Sequence, residues 1–252
     1  MNSRILHRNS VPLVYPLGLH AYVRLPWAVH TEPATRVESI TGQLMIRDYR
    51  PADFSACREL VNLVWGFHAR FRHVGLSRLL LEFYTRGALA ASNYAKVIQR
   101  DGVVAGFIFA RIETLPTPRF AWGAAVRVAV TAGRLIVLPG VRWTKKRALL
   151  RMARTHERNR ATVDPGQASE VTLFVVHPTL QGEGWGRKLM DGVIAACRAV
   201  GASRLVLETD SESNWGFYRH VGFAEKGSFE SPLLEEFTGH PGSSWVFEMP
   251  LS

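Results

Sequence analysis

Cysteine is scarce in this chain, which carries only Cys57 and Cys197 among 252 residues. Both sit at apolar positions of segments with helical spacing. This excludes a disulfide-stapled fold and predicts two buried thiols in a reducing cytoplasm. Long apolar runs are missing too: no 18 consecutive uncharged apolar residues occur, and the first residues show no signal-peptide core. A soluble protein is the expectation. There is no internal repeat and no low-complexity tract. Lysine is rare, 5 residues against 26 arginines, and acid falls short of base by 21 to 31, which leaves a formal net charge of +10. Such a balance favours solubility and anionic partners and says nothing about fold. With 47% hydrophobic residues, the chain has material for one sizeable core.

The most informative stretch runs from Val171 to Met190. Val171 to Val176 is an unbroken apolar, β-branched run, the pattern of a strand buried on both faces. His177-Pro178 then opens a glycine-rich turn, and from Gly184 the period becomes helical: Leu189, Val193, Ala196 and Val200 share one face, with Gly201 as C-terminal cap. The first N–H groups of a helix lack internal partners and sit at the positive end of its dipole. A turn stripped of side chains by Gly182, Gly184 and Gly186 therefore admits a phosphate closely, with Arg187 and Lys188 nearby to hold a pyrophosphate. The Walker loop is excluded, because Gly186 is followed by Arg187-Lys188-Leu189 rather than Lys-Ser/Thr, and the dinucleotide pattern G-x-G-x-x-G is absent.

What does match is Gln181-x-x-Gly184-x-Gly186 behind an apolar strand and at the mouth of a helix. It resembles the acetyl-CoA signature, Arg/Gln-x-x-Gly-x-Gly/Ala, of the GNAT superfamily of N-acetyltransferases. A second apolar strand, Arg204 to Glu208, leads to Asn214-x-x-x-Tyr218 and then Gly222-Phe223. That block looks like the family's next motif at the family's spacing, and with the flanking pattern the resemblance extends over roughly Met45 to Met249. It implies an α/β (α+β) fold with a mixed, mostly antiparallel sheet flanked by helices, and acetyl-CoA as cosubstrate with no metal. The implied activity is transfer of an acetyl group to a primary amine by direct attack on the thioester. The runner-up is a non-catalytic acyl-CoA-binding module that senses acyl-CoA or docks a partner.

The resemblance also assigns residues. Two central parallel strands splay apart, leaving backbone groups of Phe174, Val175 and Val176 for the pantetheine amides, one of them also an oxyanion donor. Amides of Gln181, Gly182, Glu183, Gly184, Trp185, Gly186 and Arg187 hold the pyrophosphate, and Asn214 bonds the cofactor near its arm. Tyr218 is the expected general acid for the leaving thiolate, since an ordinary tyrosine and an alkyl thiol are close in pKa. Glu170, eleven residues before Gln181, matches the glutamate base of the family's histone-acetylating branch. His177, Glu208, Asp210 and Glu113 are alternatives, as is loss of the proton to water.

Around this block the chain divides as follows. Residues 1–44 hold four prolines and no sustained period and read as an irregular or disordered arm, or as the product of an upstream start codon; residues 45–252 read as the GNAT domain. Met45 to Tyr49 predicts a strand, and Phe54, Cys57, Leu60, Val61 and Val64 a helical stripe. A helix is expected from Leu76 to about Ala91, and Asp101-Gly102 suits a two-residue I′ hairpin. Residues 113–166 are extra to the family pattern: a helical insertion in which Arg142 to Arg160 holds eight basic residues against Glu157 alone. Its candidate roles are a solvated lid beside the acceptor groove, a dock for an acidic partner, or peripheral contact with an anionic membrane. A nucleic-acid partner is not expected, for the segment lacks aromatic interleaving beyond Trp122 and Trp143. Glu230 to Gly242 reads as a loop between the last two strands. The acceptor, the acyl-chain preference and the choice between monomer and homodimer stay open at this level.

Overall fold

A computed structural model of the chain describes residues 43–166, 168–210, 215–239 and 241–251. The expected arm lies outside the described residues except at its end, and there the boundary moves: Leu44 already belongs to strand β1 (Leu44–Asp48). Helices α1 (Phe54–Trp65), α2 (Phe67–Arg70) and α3 (Val74–Ala90) follow, then strands β2 (Tyr94–Arg100) and β3 (Val103–Arg111). Asp101 and Gly102 join the two strands with φ of 50° and 84°, the doubly positive turn that the Asp-Gly pair favours.

The insertion supplies α4 (Arg119–Val137) and α5 (Trp143–Val163). Strand β4 (Ser169–Val176) leads to α6 (Trp185–Ala199), β5 (Arg204–Asp210) and α7 (Trp215–Val221), and the chain closes with β6 (Ala224–Glu230), α8 (Pro232–Thr238) and β7 (Ser243–Pro250). The expected loop between the last strands thus contains a helix. Ser231 caps it by accepting the Leu234 N–H, and Pro232 occupies the first turn, where its missing N–H costs nothing.

Seven strands form one sheet in the order β1-β2-β3-β4-β5-β7-β6, with β4·β5 as the parallel pair and the others antiparallel. The faces follow from side-chain alternation, shifted by one residue at a β-bulge between Val171 and Leu173. Leu173 and Val175 of β4 join the cluster of α1 and α3, whereas Val171, Phe174 and Val176 join that of α6 and α7. On the α6 side Leu189, Met190, Val193, Ile194 and Cys197 are buried, a gross contribution on the order of 10 kcal/mol at roughly 1.5–3 kcal/mol per side chain. Cys57 and Cys197 are free and buried.

The two insertion helices part company. α4 lies on α3, with Ala121, Ala124, Val128 and Thr131 buried. α5 covers the β6 end of the same sheet face and packs on α8. It approaches so closely that a Cβ at Gly227 of β6 would stand 3.0 Å from Val163. α4 also carries an 18-residue window of mean hydropathy 1.4, long and apolar enough by composition to cross a membrane, yet only 22% of that window is buried.

Candidate active site

The strands that frame the site are β4 and β5. Their pairing holds from Ser169↔Leu205 to Val171↔Leu207 and is not continued, although β4 runs on to Val176 and β5 to Asp210. On its other edge β4 stays paired with β3 as far as Gly106↔Val176. The sheet therefore opens into a V, and the edge of Phe174, Val175 and Val176 that turns toward β5 has no strand beside it. An extended amide-bearing chain can occupy such an edge as an added strand would.

The glycine turn stands at the wide end of that V. Gly182 and Gly184 have φ of 80° and 78°, and a Cβ at either would meet nothing within 4 Å. Left-handed backbone explains the residue type, and the open space means that no side chain among the described residues fills the cradle. Gly184 is the N-cap of α6, without a side-chain cap for the helix's first N–H groups. Gly186 serves a different end, since its Cβ position is 3.3 Å from the Phe174 ring, so glycine lets α6 lie close on β4. Gln181, Gly182, Glu183 and Gly184 are exposed and Trp185 and Gly186 half-buried. Arg187 is engaged, its Nε donating to Asp191 at 2.8 Å, while Lys188 lies 3.9 Å above the Trp185 ring.

Tyr218 comes to the same place from α7. Phe217 stacks on Phe174 across the gap, with ring centroids 5.8 Å apart, and the next residue, Tyr218, is fully buried among Phe217, Phe223 and Phe247. Among the described residues its hydroxyl has no hydrogen-bond partner. Burial pushes the phenol well above its ordinary value, and the nearby Asp210 charge adds to the effect. Among the described residues a second buried hydroxyl without a partner is Thr209 Oγ1, on the same face as Leu207 by alternation along β5. Buried polar atoms are nearly always bonded, so two orphans at the mouth of a V fit a site whose hydrogen bonds are completed by a ligand. Sequence reasoning missed Thr209, which no motif marks. Asn214 lies outside the described residues.

Glu170 is elsewhere. It sits in the paired part of β4, opposite Val206, is 1% exposed, and its oxygens face arginines. Arg160 Nη2 of α5 donates to Oε1 at 2.7 Å and Arg111 Nη2 to Oε2 at 3.4 Å. Arg160 Nε is also 3.2 Å from Glu208 Oε2, and His156 Nε2 is 3.4 Å from Glu208 Oε1. His156 Nδ1 lies 2.8 Å from Ser231 Oγ. Asp164 extends the network through Lys226 and Arg204, each at 3.0 Å. This buried set ties the insertion to β3, β4, β5 and β6. A carboxylate held between two guanidinium groups is a poor proton acceptor, because protonation would leave their charge uncompensated. Phe217, next to the candidate acid, thus meets Phe174 of the open edge and lies near Gly186 of the turn, whereas Glu170 stands in the paired part of β4. Spacing carried a signal for the network: Leu149, Ala153, His156 and Arg160 recur at four, three and four, one face of α5. Among so many bases, Arg160 did not stand out.

His177, directly after β4, has its Nδ1 2.8 Å from Thr179 Oγ1. Its Nδ1 also accepts the Thr179 N–H, and burial, then the Arg100 charge, lowers its pKa, which leaves the imidazole neutral with its proton on Nε2.

The sequence pattern of the Acetyltransferase (GNAT) family matches residues 57–223. The chain belongs to this family. An "IAA acetyltransferase" from Azospirillum brasilense is 38% identical over 66 residues, a match that takes in 25% of this chain and 43% of that protein. Among solved structures, SsHAT is similar with a TM-score of 0.53 and 21% identity, covering 83% of this chain and 98% of its own. For yncA from Salmonella typhimurium, an assigned acetyltransferase solved with its cofactor acetyl-CoA, the values are 0.45 and 19%, over 83% and 94%. The likeness to SsHAT is one of fold.

Proposed function

We propose that the protein is an N-acetyltransferase that moves an acetyl group from acetyl-CoA to a primary amine by direct attack on the thioester. The observation that carries this reading is the V between β4 and β5, where the pairing stops at Val171↔Leu207 while β4 runs on to Val176 and into the side-chain-free turn at Gly182 and Gly184. The amides from Gln181 to Arg187 hold the pyrophosphate, the open edge of Phe174 to Val176 takes the pantetheine amides, and one of its N–H groups polarises the acetyl carbonyl. Tyr218 delivers its proton to the departing thiolate. A raised pKa keeps this phenol protonated at working pH, and the same desolvation that raises it makes an unprotonated thiolate costly, which preserves the match between donor and acceptor. With Glu170 held by Arg160 and Arg111, proton loss from the amine goes to water.

Calorimetry with acetyl-CoA, followed by a free-thiol assay over a panel of amines, tests the reading. Binding with thiol release that depends on one class of amine is the expected result. Binding without turnover on any amine assigns the chain instead to non-catalytic acyl-CoA binding, and absence of binding at millimolar concentration removes the basis for both.

A further inference from the structure

Most of the insertion carries charge of one sign only. From Thr114 to His156 there is no acidic residue, against nine arginines and lysines. Its first helix, α4, is apolar on two opposite sides. The inner stripe is buried against α3, while the outer stripe, Trp122, Val126, Val130, Ile136 and Val137, is 51–76% exposed. Such a helix calls for an apolar neighbour on its outer side. Arg127 and Arg134, one heptad apart, line one flank of that stripe. Next along the chain, Trp143 is 55% exposed. The outer face of α5 then presents Arg147, Arg151, Arg154 and Arg158 at intervals of four, three and four, all exposed and with no ion pair among the described residues. The two lysines are used internally: Lys145 pairs with Glu236, and Lys146 donates to the carbonyls of Ile136 and Leu138 at the end of α4.

We propose that α4 and α5 dock the protein on an anionic membrane surface, with the outer stripe of α4 at the acyl boundary and the exposed arginines on lipid phosphates. Three other occupants fit less well. A second copy of the chain would bring the same basic insertion against itself. Residues 1–42 hold four arginines against two glutamates, the same net sign. A nucleic acid would meet the arginines and leave Val126, Val130, Ile136 and Val137 without use. A bilayer rich in anionic lipid answers both features at once, since the apolar stripe enters the headgroup boundary and tryptophan suits that depth. Because the inner stripe is packed on α3, α4 lies in the interface and does not span. Arg119 and Arg127 also line a cleft of about 440 Å³ with Arg86, Tyr49, Phe54 and Phe120, which adds cationic groups at the foot of the same helix.

Flotation of the full chain with vesicles tests this, comparing phosphatidylcholine alone with a mixture rich in phosphatidylglycerol. The chain should float with the mixed vesicles and not with phosphatidylcholine. The pair Val126→Glu and Val130→Glu changes exposed positions, so acetyl-CoA binding should survive while flotation falls at least tenfold. The pair Arg127→Gln and Arg134→Gln should weaken partitioning about 30-fold, from about 1 kcal/mol per arginine at an anionic surface. Absence of flotation overturns the proposal, as does equal flotation on both vesicle types. Flotation that withstands the glutamate pair would reduce the surface to a polycation with no apolar insertion. A dimer that the glutamate pair dissociates, without vesicle binding in the wild type, would assign the stripe to a second copy. Retention on polynucleotide without vesicle binding would assign the arginines to nucleic acid.

Discussion

Tyr218→Phe separates chemistry from packing, because the structure gives the two effects opposite signs. The substitution removes one oxygen and keeps the ring contacts with Phe217, Phe223 and Phe247. That oxygen is buried and without a partner among the described residues, and burying an unpaired hydroxyl costs about 1–3 kcal/mol. Taking the lower end, the variant is more stable by about 1 kcal/mol, and in a domain of this size its Tm rises by about 2–4 °C. If the hydroxyl protonates the thiolate, kcat and kcat/KM fall together by about 10²-fold, since the interaction belongs to the transition state. Acetyl-CoA affinity, measured by calorimetry, stays the same. The pH profile follows from the same burial: the phenol titrates well above 10, so it keeps its proton as pH rises through 10 and causes no alkaline loss of kcat below that point. A melting scan with and without acetyl-CoA, and thiol release with the best amine of the panel, measure all of this. A Tm that drops by several degrees together with an unchanged kcat would refute the reasoning and return Tyr218 to the core.

Gly184→Val and Gly201→Val make a matched pair at opposite ends of α6, with φ of 78° and 70° and open space at both Cβ positions. Each should lose about 1–2 kcal/mol to left-handed strain, measurable by urea titration, but only the first should weaken acetyl-CoA binding, by on the order of 10–100-fold through one or two lost charge-assisted hydrogen bonds; equal affinities would place the phosphates elsewhere. Arg160→Leu removes the buried guanidinium that faces both Glu170 and Glu208 and should cost about 3–5 kcal/mol, whereas Arg154→Leu on the exposed face should stay within about 0.5 kcal/mol, and similar urea midpoints would show that the buried network adds nothing. Burial alone would raise the Asp164 carboxyl, but hydrogen bonds from Lys226 and Arg204 and the Arg160 charge outweigh it and hold the group below its ordinary value. Its contribution to stability is therefore present above about pH 4, the unfolded value, and is lost as pH falls through the folded one. The wild-type Tm should decline more steeply below pH 4 than that of Asp164→Asn, and parallel curves would remove Asp164 from the acid limb.

Much of the site was legible because its signals are local. The I′ turn at Asp101-Gly102, the run from β4 through Gly184 into α6, and the spacing from there to Tyr218 depend on backbone conformation and on period, which neighbours in sequence fix. Other features involve partners distant along the chain. The helix at Pro232–Thr238 sat in a segment read as loop, since seven residues give too little period to weigh against proline and glycine.

The sequence by itself determined the order of elements except α8, the glycines at positive φ in the turn before α6, and the placement of Tyr218 after the second central strand. Each is a property of a segment shorter than about twenty residues. Only the tertiary structure decided which charge faces Glu170, because Arg160 reaches it across the face of the sheet. It also decided which apolar side of α4 is spent: burial of Ala121, Ala124, Val128 and Thr131 against α3 leaves Trp122, Val126 and Val130 exposed. Amphipathic period counts apolar positions, but a position becomes core or interface only through the neighbour that removes it from water.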